Sequence, residues 1–190
     1  MALADRVKNI LLAPRTEWPT IAAETATVQS LYSGYILILA AIGPVAMVLS
    51  GVLSGGIGGI AVAAITYGVG LAVTYVLAMV VDALAPSFGG EKDLIQSLKL
   101  VAYSYTAAWV AGIFQLVPAI GGVIGLVAAI YTIYTFYLGV TVLKKCPQEK
   151  AVFYTIVVVL CGFVIGTVLA IALMSAFVGG NMGMLGAGMH

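Results

Sequence analysis

Asp82 is the one acidic residue that falls inside a long apolar run of this chain. A carboxylate at membrane depth either handles ions or protons or is neutralised by a cation of the protein. Asp82 lies near the end of its run, with Lys92 and Lys99 following, so an interfacial ion pair is the expected use. Ion or proton handling is the sharper alternative. Hydroxyls form the second candidate group: Tyr103, Ser104, Tyr105 and Thr106 in one run, then Tyr131, Thr132, Tyr134, Thr135 and Tyr137 in another. Tyr131, Tyr134 and Thr135 share a helical face by their i, i+3, i+4 spacing. Hydroxyls surrounded by lipid need partners, which turns this strip toward the interior of a helix bundle. Interhelical hydrogen bonds, worth about 0.6 kcal/mol each, are its commoner use, and a polar cavity for a ligand is the alternative. The third group is Lys144, Lys145 and Lys150, which set topology or bind anionic headgroups at about 1 kcal/mol per lysine. Topology alone accounts for them.

These residue types build no enzyme site in this arrangement. The single histidine is His190, so a Ser-His-Asp set and an H-E-x-x-H zinc motif are both excluded, and no glycine-rich loop is followed by Lys-Ser/Thr. Cys146 and Cys161 are too far apart in sequence for a C-x-x-C pair. The expectation is therefore no catalysis, no cofactor and no metal. A net charge of +1 supplies no basic patch, which excludes nucleic acid as a partner.

The elements that hold these residues follow from composition. Only 8% of the 190 residues are charged, 63% are hydrophobic and the mean hydropathy is +1.16, whereas soluble domains carry about 25% charged residues. The class is a polytopic helical membrane protein. Its organising feature is the hinge Lys144-Lys145-Cys146-Pro147-Gln148-Glu149-Lys150, flanked by the uncharged runs 120–143 and 151–178. Each run exceeds the roughly 20 helical residues that cross a bilayer. Three further spans are predicted at 31–48, 60–84 and 100–116. Pro44 is a tolerated kink in the first, and a glycine-rich turn over 51–59 follows it. A tight turn at Pro118 joins the third span to the fourth. Residues 179–190, rich in Gly and Met, read as a disordered tail.

Ahead of the first span, Leu3, Val7, Ile10 and Leu11 make one apolar helical face, opposite Asp5, Arg6, Lys8 and Asn9. Pro14 ends that helix, and a second amphipathic segment follows over 16–29, with Trp18 suited to the headgroup level. Residues 1–30 thus form a cytoplasmic-side element lying on the membrane or on the protein's own face, and the two readings stand level. No apolar core and cleavage site of a signal peptide precedes them, so the first span is expected to act as an uncleaved anchor.

Charge then fixes orientation. Arg6, Lys8, Arg15, Lys92, Lys99, Lys144, Lys145 and Lys150 are all eight basic residues, and with five spans they all fall on one side. Positive residues mark the cytoplasmic side, so the N-terminus is inside and the C-terminus outside. Small-residue strips Gly121-xxx-Gly125 and Gly162-xxx-Gly166 allow close helix approach, within the bundle or between copies.

The stretch Gly89-Gly90 … Leu98-Lys99-Leu100-Val101-Ala102-Tyr103-Ser104-Tyr105-Thr106 … Trp109 … Gly112 … Pro118 resembles the Yip (Ypt/Rab-interacting protein) domain family, in particular its bacterial members. Further matches are Tyr131, Tyr134, Tyr137-Leu138-Gly139-Val140 and Lys145-Cys146-Pro147-Gln148-Glu149-Lys150-Ala151, then Tyr154-Thr155 and the opening Ile10-Leu11-Leu12-Ala13-Pro14-Arg15-Thr16-Glu17-Trp18. Ala107 stands where the family pattern carries a proline and a helix kink. The resemblance implies a five-span membrane protein with a cytoplasmic N-terminus. The Rab association of eukaryotic members does not transfer, because the short N-terminal segment looks bacterial.

The sequence therefore predicts an all-α protein of the bacterial inner membrane, with an amphipathic segment at 1–30 and five transmembrane helices over 31–178. A non-enzymatic scaffold that organises lipids or membrane proteins, as a homo-oligomer or with others, is the leading expectation. A small channel or transporter is the alternative.

Overall fold

The computed structural model of the chain describes residues 2–53 and 59–187. These residues are helical with short connections, and no strand occurs among them. Four stretches are long and apolar enough to cross a membrane: Val28–Leu53, Gly59–Phe88, Ala119–Leu143 and Gln148–Leu169. Of the glycine-rich turn expected between the first two, residues 54–58 lie outside the described residues.

The chain opens with α1 (Leu3–Leu12) and α2 (Pro14–Ala23), hinged at Ala13. Pro14 starts α2 at a position where its missing N–H has no helical partner to lose. The first long stretch begins at α3 (Val28–Leu31), closed by a reciprocal capping box: Thr27 Oγ1 accepts from Ser30 N at 3.1 Å, and Ser30 Oγ accepts from Thr27 N at 2.9 Å. A π-helical turn (Tyr32–Ile36) leads into α4 (Leu37–Ala40), and α5 (Ile42–Leu53) follows a break at Ala41. Pro44 accounts for that break, because its ring collides with the carbonyl four residues back and its nitrogen cannot bond it.

Helix α6 (Gly59–Leu84) ends in the 3₁₀ turn Ala85–Phe88, where Pro86 stops it, and Gly89 turns the chain at φ 75°. Asp93 then caps α7 (Leu94–Ser104), accepting the Gln96 N–H at 2.9 Å. The third span expected at 100–116 is not one helix. It divides into α7, α8 (Thr106–Ala111) and a 3₁₀ turn Gly112–Leu116. Ala107 supplies no proline, yet the chain bends beside it. Thr106 Oγ1 donates to the Tyr103 carbonyl at 2.7 Å and stands 2.7 Å from Tyr35 Oη, so hydroxyls enter the backbone ladder where a proline would have broken it. Every residue of α7 from Ser97 to Ser104 is buried, whereas the 3₁₀ turn Gly112–Leu116 has no buried residue.

Helix α9 (Pro118–Leu143) and α10 (Gln148–Ala187) complete the bundle. Helix α10 continues past Val178, where the fifth span was expected to end, and residues 188–190 of the expected tail lie outside the described residues. The core runs along α7, which packs against α6 and α9, with α10 against both of those.

The N-terminal pair settles on the protein. Helix α2 packs on α9, and Trp18, expected against lipid headgroups, is fully buried in protein. Its indole N–H donates to the Thr135 carbonyl at 3.1 Å, and its ring meets Tyr103 edge-on at 6.5 Å. Gly139 makes room for it: a Cβ there would fall 2.8 Å from the indole and 2.5 Å from Leu100 Cδ1. Gly139→Leu is therefore expected to displace α2 and lower stability by about 1–3 kcal/mol, the range for overpacked cores. Thermal unfolding in detergent should show the loss, with Trp18 fluorescence moving to the red.

Candidate functional site

Two polar clusters are built into the bundle, both toward the end that carries the 144–150 hinge. The first gathers around Lys144, whose side chain is fully buried. An ammonium has three N–H donors, and Lys144 Nζ reaches three acceptors: Asp82 Oδ1 at 2.9 Å, Ser97 Oγ at 2.8 Å and the Asp93 carbonyl at 3.0 Å. Asp82 Oδ1 also accepts from Asp93 N at 2.7 Å. Sequence proximity pointed Asp82 toward Lys92 or Lys99; its partner is Lys144, which the fold brings over from the C-terminal end of α9. Lys144 is correspondingly not a headgroup lysine, since no lipid reaches a side chain enclosed by α6 and α7. Lys145 and Lys150 are exposed, and Lys145 pairs with Glu91 at 2.7 Å.

The hinge closes over this pair. Glu91 N donates to the Lys144 carbonyl at 2.9 Å, and a Cβ on Gly90 would come within 2.9 Å of that same oxygen. Only glycine admits the contact. A Cβ on Gly89 would lie 3.4 Å from the Pro147 ring, and Cys146 Sγ lies 3.3 Å from the Phe88 carbonyl. Burial pushes the Cys146 thiol above its ordinary range, with Lys150 pulling weakly the other way. Tyr154 of α10 stacks on Phe88 at 4.9 Å and donates its hydroxyl to the Val81 carbonyl.

The second cluster was not anticipated. Arg6 is buried, and its two terminal nitrogens donate to Glu17 and Glu24, while Asn9 donates to Glu17 Oε2 at 3.2 Å. Lys99 is buried too, and its ammonium caps the end of α2 at the carbonyls of Ile21, at 2.8 Å, and Glu24. Arg6 also lies over the Tyr103 ring, 5.6 Å from its centroid. The sequence signal was available in part: Arg6 and Glu17 stand on helices whose apolar faces must be covered, but nothing in it pairs them.

The tyrosine strip does not form one lining. Tyr103 faces Trp18 and Tyr35. Tyr105 lies by an apolar cleft of about 290 Å³ with Leu77, Phe136 and Gly162. Tyr131 donates to the Leu11 carbonyl at 2.8 Å, so its face of α9 is covered by the N-terminal helices and not by another long helix. Thr135 donates to the carbonyl of Tyr131 at 2.8 Å. Tyr134 was expected inside and is exposed, because among the described residues no element covers the face of α9 beside it. Among the small residues, Gly121 approaches the Phe114 carbonyl and Gly162 touches Leu77, whereas Gly125 and Gly166 meet open space.

The Yip1 domain family model matches residues 8–170. The inner membrane protein YohC of Escherichia coli strain K12 is 26% identical over 166 residues, covering 80% of this chain and 85% of that protein. YohC of Escherichia coli O6:H1 matches to the same extent. No solved structure matches this chain.

Removing one partner of the Lys144–Asp82 pair strands the other. Asp82→Asn leaves a fully buried ammonium without its counter-charge and is expected to cost about 3–5 kcal/mol. Lys144→Met leaves the more exposed carboxylate and should cost less, and the double variant should recover part of the loss. Thermal unfolding of the three variants in detergent checks the order.

Proposed function

This chain belongs to the Yip1 domain family, and from that premise we propose that it is a non-enzymatic organising protein of a bacterial inner membrane. It crosses five times, with the N-terminus cytoplasmic and the C-terminus outside, and it presents a fixed cytoplasmic platform to lipids or membrane proteins.

Five crossings rest on the Lys144–Asp82 contact. It ties the ends of α6 and α9 to one side of the bundle. Helix α9 has 26 residues, about 39 Å at the helical rise, so its start at Pro118 reaches the opposite side. The segment 94–116 must then travel from one side to the other, broken though it is. All eight basic residues fall on the hinge side of that arrangement, which is the cytoplasmic one by the positive-inside rule.

The observation that carries the scaffold reading is where the polar groups are spent. Tyr131 is bonded to α1, Tyr35 to Thr106, Tyr32 to the Leu71 carbonyl and Tyr67 to the Leu37 carbonyl. Asp82 is neutralised by Lys144. A transport path needs such groups facing water, and here they hold helices together. Relatives in the Escherichia coli inner membrane support the location.

Two measurements test this. Alkaline phosphatase fused after Val117 should be active and the same enzyme fused after Lys145 inactive; an inactive Val117 fusion would leave four crossings. Proteoliposomes should pass cations no faster than empty ones, while crosslinking in native membranes should give discrete adducts with a second copy or another membrane protein. Saturable flux lowered by Tyr131→Phe would favour the transporter reading instead.

A further inference from the structure

A cavity of about 520 Å³ lies between α1, the connection after α2 and the first turns of the first long helix. That is within the size range of sites for small organic ligands, roughly 300–1,000 Å³. Its lining includes Arg6, Glu24, Thr25, Gly34, Tyr35 and Tyr103. The cations nearby are already committed. Arg6 gives its terminal nitrogens to Glu17 and Glu24, and Lys99 gives its ammonium to the carbonyls of Ile21 and Glu24. The carboxylate of Glu24 is only half committed. Its Oε1 accepts from Arg6, its Oε2 has no partner among the described residues, and its side chain is 41% exposed. The Tyr103 and Thr25 hydroxyls likewise bond to no other described residue.

The rings of Tyr35 and Tyr103 stand beside these groups, 4.6 Å apart at their centroids and edge to face. Aromatic faces attract cations. An anion entering the cavity would meet Glu24 and find each guanidinium end occupied. A cation with several N–H donors would find an open carboxylate oxygen and two hydroxyl acceptors beside the Tyr35 ring, while the Tyr103 ring is already taken by Arg6.

We propose that this cavity binds a primary ammonium group, presented by a small soluble amine or by an ethanolamine phospholipid headgroup. The π-helical turn at Tyr32–Ile36 has a role in this. Turns of that kind occur disproportionately at functional sites, and this one sets Gly34 in the cavity wall, where an added Cβ meets nothing within 4 Å. A larger side chain at Gly34 would therefore fill the cavity without colliding with the bundle.

The test uses the full chain in nanodiscs of phosphatidylglycerol, which contribute no ammonium group. Calorimetric titration with ethanolamine reads the soluble source. Native mass spectrometry after exchange with phosphatidylethanolamine reads the lipid source. Saturable ethanolamine binding, preferential retention of one phosphatidylethanolamine over phosphatidylglycerol, or both, is the expected result. Glu24→Gln should weaken it about tenfold or more, the loss of one charge-assisted hydrogen bond. Gly34→Leu should abolish it while melting at or above the wild-type temperature. Absence of both signals in the wild-type protein, binding that survives Gly34→Leu, or retention of phosphatidylglycerol instead would overturn the proposal.

Discussion

A buried ammonium must be fully coordinated or it destabilises whatever encloses it, and Lys144 imposes that condition on the hinge end of the bundle. Its three acceptors come from the end of α6, the cap of α7 and the first turn of α7. One cation thereby fixes three helix ends relative to one another. The backbone then has to close over it, and that explains Gly90, whose missing Cβ lets the Lys144 carbonyl approach, and the left-handed turn at Gly89. The fourth long helix joins through Tyr154 on Phe88. Residues far apart in sequence, Gly89-Gly90 and Lys145-Cys146-Pro147, turn out to be two sides of one clasp.

Beyond the clasp, the segment after α7 departs from a continuous helix. Unsatisfied backbone at membrane depth is prohibitive against lipid but acceptable inside protein. Along α7 the backbone is enclosed by protein, and at the bend the Tyr35–Thr106–Tyr103 chain of hydroxyl and carbonyl supplies polar partners, while Ile113 and Phe114 of the following 3₁₀ turn are exposed. The bend is thus marked by Thr106, bonded to the Tyr103 carbonyl beside Ala107, the position where the family pattern uses proline.

Much of this was legible in the sequence because its causes are local or periodic. Apolar runs between charged or Gly/Pro breaks set the helices, and Pro14 and Pro86 mark ends. The pairings were not legible. Asp82 has two lysines close in sequence, and nothing local says that Lys144, reached only after two further helical passages, takes the contact. The third span looked continuous because composition does not register a hydroxyl inserted into the ladder. Tyr134 looked internal because spacing defines a face of α9 without saying which neighbour covers it.

The N-terminal helices show the same limit and what resolves it. An apolar stripe formed by Leu3, Val7, Ile10 and Leu11 is stabilised by burial in lipid or in protein alike, so amphipathicity cannot choose between them. The charges choose. On a bilayer surface Arg6, Glu17 and Glu24 would remain hydrated, and a pair between them would be worth little. Here Arg6 and Glu17 are buried, and Lys99 reaches up from α7 to the end of α2. Four charges of two signs balance within one cluster, which is the condition under which helices this polar can leave water. Trp18 and Gly139 then supply the apolar fit that the charges alone would not. Docking of α1 and α2 is therefore a property of the bundle as well as of the segment, and the cavity beside Glu24 exists only because that docking holds.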